Sequence, residues 1–221
     1  MPTEVKICGL RDAEAVDAAL EAGADYVGFV FFERSPRNIS VAEAAPLAAR
    51  AREGARVVAL TVNADDALLR EILKTLRPDL MQLHGNETPD RVAAVRTLTG
   101  RPVMKAVPLA TRSDLALAEH YRIADRLLLD AKPLPGATRP GGNAAAFDWT
   151  ILDGFASPRP WLLAGGLTPT NIARALKTSR APGVDVSSGV EKAPGVKDPH
   201  LIRAFVKAVR AFDRLARLLV G

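Results

Sequence analysis

The feature that most constrains this chain is an alternation, repeated eight times, of a short β-branched run and a longer run with helical spacing. Such short runs predict strands, and Ala- and Leu-rich runs with a period near 3.6 predict helices. The predicted strands are Val5–Cys8, Asp25–Phe31, Arg56–Val62, Leu80–His84, Pro102–Val107, Arg126–Asp130, Trp161–Ala164 and Gly183–Ser187. The predicted helices are Asp12–Ala22, Val41–Arg52, Asp65–Leu76, Pro89–Leu98, Arg112–His120, Asp148–Phe155, Pro169–Thr178 and Pro199–Leu219.

A strict strand–helix alternation predicts parallel strands covered by helices, and eight such units predict a closed (β/α)8 barrel, the TIM barrel. The chain has 221 residues, so each unit has about 28, close to the shortest length that a parallel crossover allows. We expect one domain spanning residues 1–221. An open doubly wound sheet is the alternative, and it is disfavoured because no Gly-x-Gly-x-x-Gly motif follows the first strand.

Composition excludes several classes of function. The formal net charge is +5, from 30 Lys and Arg against 25 Asp and Glu, and this mild excess fits an anionic small molecule. Aromatic residues are 5% of the chain and none is interleaved with a basic run, which argues against nucleic-acid binding. No run reaches about 18 consecutive apolar residues, so no membrane span is predicted. The chain has one cysteine, so no internal disulfide is possible, and no charged-then-apolar leader precedes the first strand. For these two reasons we expect a cytoplasmic protein.

Polar residues recur with a period of two toward the C-terminal ends of several predicted strands. Side chains alternate along a strand, so these residues should point into the barrel while their apolar neighbours face the helices. The residues are Lys6, Cys8, Gln82, His84, Lys105, Asp130, Asp185 and Ser187. If the barrel forms, they converge on one mouth, which is where active sites of this fold lie.

Cys8 and Asp130 are the candidate base and acid. A carboxyl group at the edge of the aliphatic run that ends at Asp130 binds its proton more tightly than in water, so it could donate that proton. Cys8 follows Lys6 on the same face of the first strand, and a nearby cation favours a thiolate. The structural alternatives are a small buried cysteine and a carboxylate that caps the following loop.

Lys6 supports a separate hypothesis about this thiol. Because Lys6 and Asp185 both have the inward parity, we expect them to form an ion pair inside the barrel. The Lys6 charge should then lower the pKa of Cys8.

Two glycine-containing loops after the seventh and eighth strands predict a phosphate site. Gly165 and Gly166 follow one strand, and Ser187, Ser188 and Gly189 follow the next. Glycine loops expose backbone N–H groups that bind phosphate, and this is the usual phosphate position in the fold.

A rigid Ser-Pro-Arg turn after the second strand presents Arg37, whose guanidinium could bind a carboxylate through two hydrogen bonds; the alternative is an ordinary surface arginine. His84 could contact the substrate or act as a hydrogen-bonded group behind it. No metal site is predicted, because the three histidines and one cysteine lack ligand spacing.

Two further segments have a predicted role. The long irregular stretch 131–147 follows the sixth strand, and its position predicts a lid over the site. The last helix is amphipathic, and we expect its apolar side to pack on the barrel rather than on a membrane surface.

Taken together, the motifs resemble the phosphoribosylanthranilate isomerase family of tryptophan biosynthesis along the whole chain. The motifs are KICGL at the start, GFVF followed by SPR, QLHG, LLLD, FDW, LAGGL and DVSSGVE. KICG and DVSSGVE are the most specific of them.

The resemblance implies a cofactor-independent Amadori rearrangement of N-(5-phosphoribosyl)anthranilate to 1-(2-carboxyphenylamino)-1-deoxyribulose 5-phosphate. It implies that Cys8 is the general base, that Asp130 is the general acid, and that Arg37 holds the anthranilate carboxylate. The family's phosphate site corresponds to Gly165, Gly166, Ser188 and Gly189, and the loop position of Ser187 adds it to the predicted phosphate site. Gln82, His84 and Asp185 are expected to contact this anionic phosphosugar substrate, and no obligate protein partner is expected.

One departure from the family and two alternatives remain. Many members have a Gly-Thr-Gly sequence in the long loop where this chain has Gly141-Gly142-Asn143, which leaves the loop contacts to substrate open. One alternative is another phosphosugar barrel, such as the imidazole-forming isomerase of histidine synthesis or an epimerase. The histidine-synthesis enzyme looks as though it needs an aspartate at the position of Cys8, and the epimerases bring metal ligands that this sequence lacks. The other is a phosphate-ligand binding barrel without catalytic activity, which would bind ligand without proton exchange at C2 of the sugar.

Overall fold

Eight parallel strands close into a barrel with the order β1 to β8, because β8 pairs with β1 as well as with β7. The computed structural model describes residues 2–132 and 147–218. The strands are β1 Glu4–Cys8, β2 Tyr26–Phe31, β3 Arg56–Thr61, β4 Leu80–Leu83, β5 Val103–Leu109, β6 Arg126–Ala131, β7 Trp161–Leu163 and β8 Gly183–Val186. The closed order confirms the predicted (β/α)8 barrel and is incompatible with the open sheet.

Seven α-helices connect or follow the strands in the described residues. They are α1 Ala13–Ala22, α2 Val41–Ala51, α3 Asp66–Thr75, α4 Pro89–Thr99, α5 Ala116–His120, α6 Ile172–Ser179 and α7 Pro199–Leu218. Local sequence sets several starts: Asp12, Asp65 and Thr88 each accept a backbone N–H in the first turn of their helix, and Ser40 forms a capping box with Glu43.

Three elements differ from the prediction. The predicted helix Arg112–His120 begins as a 3₁₀ turn over Arg112–Leu115, and α5 follows it. The segment predicted as helix Asp148–Phe155 forms only the 3₁₀ turn Trp149–Leu152, because Asp153 returns to an extended conformation and Gly154 has a positive φ of 69°. A small antiparallel hairpin, β9 Glu191–Ala193 with β10 Val196–Lys197, follows β8 and was not predicted. The predicted lid lies almost entirely outside the described residues.

The core has two layers. Inside the barrel pack the inward residues Tyr26, Val58, Leu80, Met104, Leu128 and Leu162, while the outward residues of the same strands pack under the helices. The last helix, α7, packs on the barrel as predicted and buries Ile202, Phe205, Val206 and Val209, but Leu215, which was expected on the packed side, is exposed. None of the helices in the described part of the chain is long and apolar enough to cross a membrane.

The inward parity holds for most of the predicted mouth residues but is wrong for Lys105. Met104 and Ala106 point into the barrel, so Lys105 points outward, where it pairs with Glu87 at 3.1 Å and lies over the Tyr121 ring. The run Val-Met-Lys-Ala-Val is apolar on both sides of the lysine, so the sequence pattern could not decide which face is inner.

Candidate active site

The C-terminal ends of the parallel strands form one rim. Cys8 ends β1, Asp130 lies near the end of β6, and His84 directly follows β4. Asp130 is 7% exposed and Cys8 is 4% exposed, so both lie in the wall of the mouth rather than on its surface. The closed barrel therefore brings the predicted base and acid to the same end of the molecule.

Below Cys8, Lys6 and Asp185 form an ion pair inside the barrel. The Lys6 Nζ atom lies 2.9 Å from Asp185 Oδ1, and the two residues are register partners of β1 and β8. This confirms the predicted pair. Gly28 on β2 makes room for it, since a Cβ there would lie 3.1 Å from Lys6 Nζ and 3.3 Å from Cys8 Sγ.

Burial decides the charge state of the thiol. Burial raises the pKa of Cys8, Lys6 lowers it, and Asp185 raises it again, so that the net pKa lies above the ordinary value of 9.0. Burial would lower the pKa of Lys6, but Asp185 and then Cys8 outweigh it and the net pKa is raised. The Lys6 charge thus lowers the pKa of Cys8, as predicted, but burial outweighs it and the net pKa is raised.

A spectroscopic titration tests this directly. We expect thiolate absorbance near 240 nm to appear with a midpoint above pH 9.0, because burial disfavours the anion more than Lys6 favours it. The chain has one cysteine, and burial raises the pKa of both tyrosines, that of Tyr26 to about 12; because tyrosinate absorbs in the same region, its contribution has to be subtracted. A Cys8→Ser sample supplies the blank. A midpoint below 9.0 would show that the cation dominates.

On the opposite side of the mouth, Gln82, His84 and Asp130 form a hydrogen-bonded chain. Gln82 Nε2 donates to His84 Nδ1 at 3.0 Å, so the histidine proton resides on Nε2, which donates to Asp130 Oδ2 at 3.1 Å. The other carboxylate oxygen, Oδ1, accepts the Ala131 N–H at 2.8 Å. The chain fixes the orientation of the Asp130 carboxyl group. Gln82 and His84 thus lie behind Asp130, whereas Asp185 lies under Cys8.

The two glycine loops touch each other. A Cβ on Gly189 would lie 1.8 Å from the Leu167 carbonyl oxygen, so the loop after β8 packs directly on the loop after β7. Gly165 has a φ of +89°, and a Cβ there would lie 3.1 Å from Asp130 Oδ1. Gly165 is therefore next to the candidate acid, and Gly189 packs on Leu167 and Thr168 of the same loop. The Ser187 hydroxyl donates to the Cys8 carbonyl oxygen at 3.0 Å.

Arg37 is buried, with 4% of its surface exposed, so the alternative that it is an ordinary surface arginine is wrong. Its stem packs on Gly9, where a Cβ would lie 2.7 Å from Arg37 Cδ. Its guanidinium donates from Nε and Nη2 to the two carboxylate oxygens of Glu191, at 2.7 and 2.8 Å. The arginine therefore already binds a carboxylate of its own chain.

Three residues at the site were missed by the sequence reasoning: Gly28, Glu191 and Lys197. Glu191 closes the quoted motif DVSSGVE, but no local signal pairs it with an arginine 154 positions away. Lys197 lies in the two-residue strand β10 and is buried.

Among residues 2–132 and 147–218, no group of three His, Cys, Asp or Glu side chains is placed to hold a metal ion.

Fold and mouth together define a class: (β/α)8-barrel proteins with a buried thiol and a carboxyl group at the C-terminal rim, next to two touching glycine loops. The sequence profile of the N-(5′phosphoribosyl)anthranilate (PRA) isomerase family matches residues 5–208. The chain belongs to the PRA isomerase family. The resemblance and the isomerase class predicted from the motifs are thereby confirmed.

Individual relatives agree. An N-(5′-phosphoribosyl)anthranilate isomerase of Rhodopseudomonas palustris (strain BisA53) is 57% identical over 217 residues, covering 98% of this chain and 100% of the relative. The crystal structure of phosphoribosyl anthranilate isomerase from Thermotoga maritima has a TM-score of 0.83 at 33% identity, covering 95% of this chain and 99% of that one. A phosphoribosyl anthranilate isomerase in complex with reduced 1-(o-carboxyphenylamino)-1-deoxyribulose 5-phosphate has a TM-score of 0.81 at 32% identity, with the same coverage.

Proposed function

We propose that this chain, as one barrel domain spanning residues 1–221, isomerises N-(5-phosphoribosyl)anthranilate to 1-(2-carboxyphenylamino)-1-deoxyribulose 5-phosphate without a cofactor. The observation that supports it most is the presence of Cys8 and Asp130 on one rim of the barrel, each with its own set of hydrogen-bonding or charged partners. A related enzyme binds a reduced form of this product. The free thiol also suits a reducing compartment, so we propose a cytoplasmic enzyme.

The reaction needs only proton transfers. Asp130 donates a proton to the ribose ring oxygen, the C1–O bond breaks, and the ring opens to an iminium ion. Cys8, as thiolate, removes the proton from C2 to give an enolamine, which tautomerises to the ketone. The proton that Asp130 loses and the proton that Cys8 gains balance, so no oxidant or reductant is needed.

The charge of the intermediate helps to explain how a thiol with a raised pKa can act. The iminium ion is a cation that forms next to the base, and an adjacent positive charge favours the thiolate. Lys6, held by Asp185, supplies a second positive charge on the barrel side of the thiol. We expect the thiolate to be a minor form in the free enzyme and to gain population as the intermediate forms.

The two anionic groups of the substrate have separate sites in this proposal. The phosphate binds at Gly165, Gly166, Ser188 and Gly189, whose loops touch. The Ser187 hydroxyl donates to the Cys8 carbonyl oxygen, so we assign Ser187 to the support of Cys8 and not to the phosphate.

The anthranilate carboxylate binds Arg37, which shares its guanidinium with Glu191. Gln82 and His84 act mainly by orienting Asp130, and Asp185 acts through Lys6.

Turnover of phosphoribosylanthranilate, followed by the decay of its fluorescence, tests the proposal. An active enzyme that also exchanges the C2 proton with deuterated solvent would agree with it. Tight binding of the product analogue without turnover or exchange would instead indicate the binding barrel without catalytic activity.

Arg37→Met tests the carboxylate site. We expect KM to rise about tenfold to a hundredfold with a smaller change in kcat, because a charge-assisted bidentate hydrogen bond to the substrate is lost. Arg34→Met, an exposed arginine three positions earlier, is the matched control and should leave KM unchanged. If both variants have the wild-type KM, Arg37 does not bind the substrate.

A further inference from the structure

The β9–β10 hairpin contains a buried ion pair that links three parts of the mouth. Glu191 Oε1 lies 2.8 Å from Lys197 Nζ, and the two side chains are 4% and 1% exposed. The same carboxylate binds the Arg37 guanidinium. Buried charges are costly unless they are paired, so this group of three is held together by its mutual contacts.

Lys197 also reaches toward the thiol-bearing strand. Its Nζ donates to the Ser187 carbonyl oxygen at 2.9 Å and to the Ser187 hydroxyl at 3.3 Å, in addition to Glu191. Three acceptors around one nitrogen match the three donors of an ammonium group. Because the Ser187 hydroxyl accepts from Lys197, its own proton is directed to the Cys8 carbonyl oxygen. An unbroken chain of hydrogen bonds thus connects Lys197 to the peptide of the candidate base.

The hairpin is fixed against the loop that presents Arg37. Gly195, in the hairpin turn, has a φ of +79°, and a Cβ there would lie 2.1 Å from the Pro36 carbonyl oxygen. The Gly195 N–H donates to Glu191 Oε2 at 3.3 Å. The hairpin and the Ser-Pro-Arg turn therefore pack directly on each other, and Glu191 lies between them.

We propose that Glu191 and Lys197 are positioning residues of the isomerase, Glu191 for the Arg37 guanidinium and Lys197 for the Ser187–Cys8 segment. This inference rests on the proposed function. The fork of Arg37 is planar, so fixing Nε and Nη2 on Glu191 fixes the direction in which the whole guanidinium faces. Glu191 is suited to this, since burial would raise its pKa but Arg37 and Lys197 outweigh burial and the net pKa is lowered.

Glu191→Gln is the first test. It keeps the shape of the side chain but removes its charge and one of the two acceptors for Arg37, so we expect KM for phosphoribosylanthranilate to rise about tenfold while kcat stays within about threefold. Glu21→Gln makes the same change in the exposed Glu21–Arg203 pair and should leave both constants unchanged. Wild-type enzyme is assayed first, because failure of the wild type to turn over would overturn the proposed function and not this inference alone.

A double-mutant cycle distinguishes positioning from a general structural effect. If Glu191 acts through Arg37, adding Glu191→Gln to Arg37→Met should raise KM no further than Arg37→Met alone. Independent, multiplicative effects would overturn the assignment for Glu191. Glu191→Asp keeps the charge and shortens the side chain, so it provides the same KM readout if the glutamine variant does not fold. A wild-type KM in whichever variant folds would also overturn it.

Lys197→Met tests the proposed role of Lys197 in holding the Ser187–Cys8 segment. Ser187→Ala removes only the Ser187 hydroxyl, which connects Lys197 to the Cys8 carbonyl oxygen. We expect both to lower kcat about tenfold with less change in KM, since the Cys8 peptide loses its support. Lys197→Met should also shift the thiolate titration of Cys8 to higher pH, because Lys197 lowers the pKa of that thiol. Ser187→Ala should not cause this shift. Unchanged kcat in both variants would overturn the role of Lys197.

Discussion

Cys8→Ser is expected to lower kcat/KM for phosphoribosylanthranilate about a thousandfold, the middle of the range for a general base. Serine is close in size to cysteine and can occupy the same position beside Gly28 and Lys6. Its hydroxyl is far less acidic than a thiol, so an anion would form only rarely even next to the Lys6 amine. The fold should be unaffected, because the side chain contributes little to the core beyond its contacts with Val30 and Leu60.

The measurement is the steady-state fluorescence assay, with binding of the reduced product analogue as a companion. Cys8→Ser should bind the analogue about as tightly as the wild type, since the thiol is proposed to remove a proton and not to hold the ligand. Cys8→Ala should be equally inactive. Near wild-type turnover in either variant would show that another group removes the C2 proton.

Asp130→Asn is expected to reduce kcat by a similar factor, about a thousandfold, because an amide cannot donate a proton to the ribose ring oxygen. The amide also cannot accept both hydrogen bonds that the carboxylate accepts, one from His84 Nε2 and one from the Ala131 N–H. Part of the loss could therefore come from a displaced side chain, and the experiment has to separate the two causes.

Analogue binding and a matched asparagine provide that separation. If Asp130 is the acid, the variant should bind the reduced product analogue within about threefold of the wild type while turnover is lost, since only a transition-state interaction has been removed. Asp148→Asn changes an exposed carboxylate that caps a short 3₁₀ turn and should leave kcat unchanged. Retention of more than a tenth of the wild-type kcat by Asp130→Asn would exclude it as the essential acid.

Much of this molecule follows from periodicity that can be read along the chain. The strand–helix alternation predicts the parallel barrel, because strands that alternate with helices can bury both faces only in a closed or doubly covered sheet. Period-two spacing then predicts which side chains share the interior, and it was sufficient to pair Lys6 with Asp185 across 179 residues. The same reasoning placed Cys8, His84 and Asp130 at one rim.

The sequence was not sufficient where apolar residues flank a polar one on both sides, where a partner lies far along the chain, or where two opposing effects set a pKa. Lys105 lies between apolar residues on both sides, so its parity could be assigned only once Met104 and Ala106 were seen inside the barrel. The sequence indicated that Arg37 could bind a substrate carboxylate, but nothing local indicates the Glu191 carboxylate 154 positions away. The direction of the Cys8 pKa shift depended on whether burial, which raises the pKa, outweighs the Lys6 charge, which lowers it.

The fold, the face on which most polar residues lie and the family of the protein could therefore be predicted from the sequence, since these depend on spacing and motif. The direction of the thiol's pKa shift, the pairing of Arg37 with Glu191 and the position of Lys197 became clear only from the folded structure. The burial of a side chain and its long-range ion pairs depend on residues that come from different strands and loops. Those neighbours are defined only when the barrel closes.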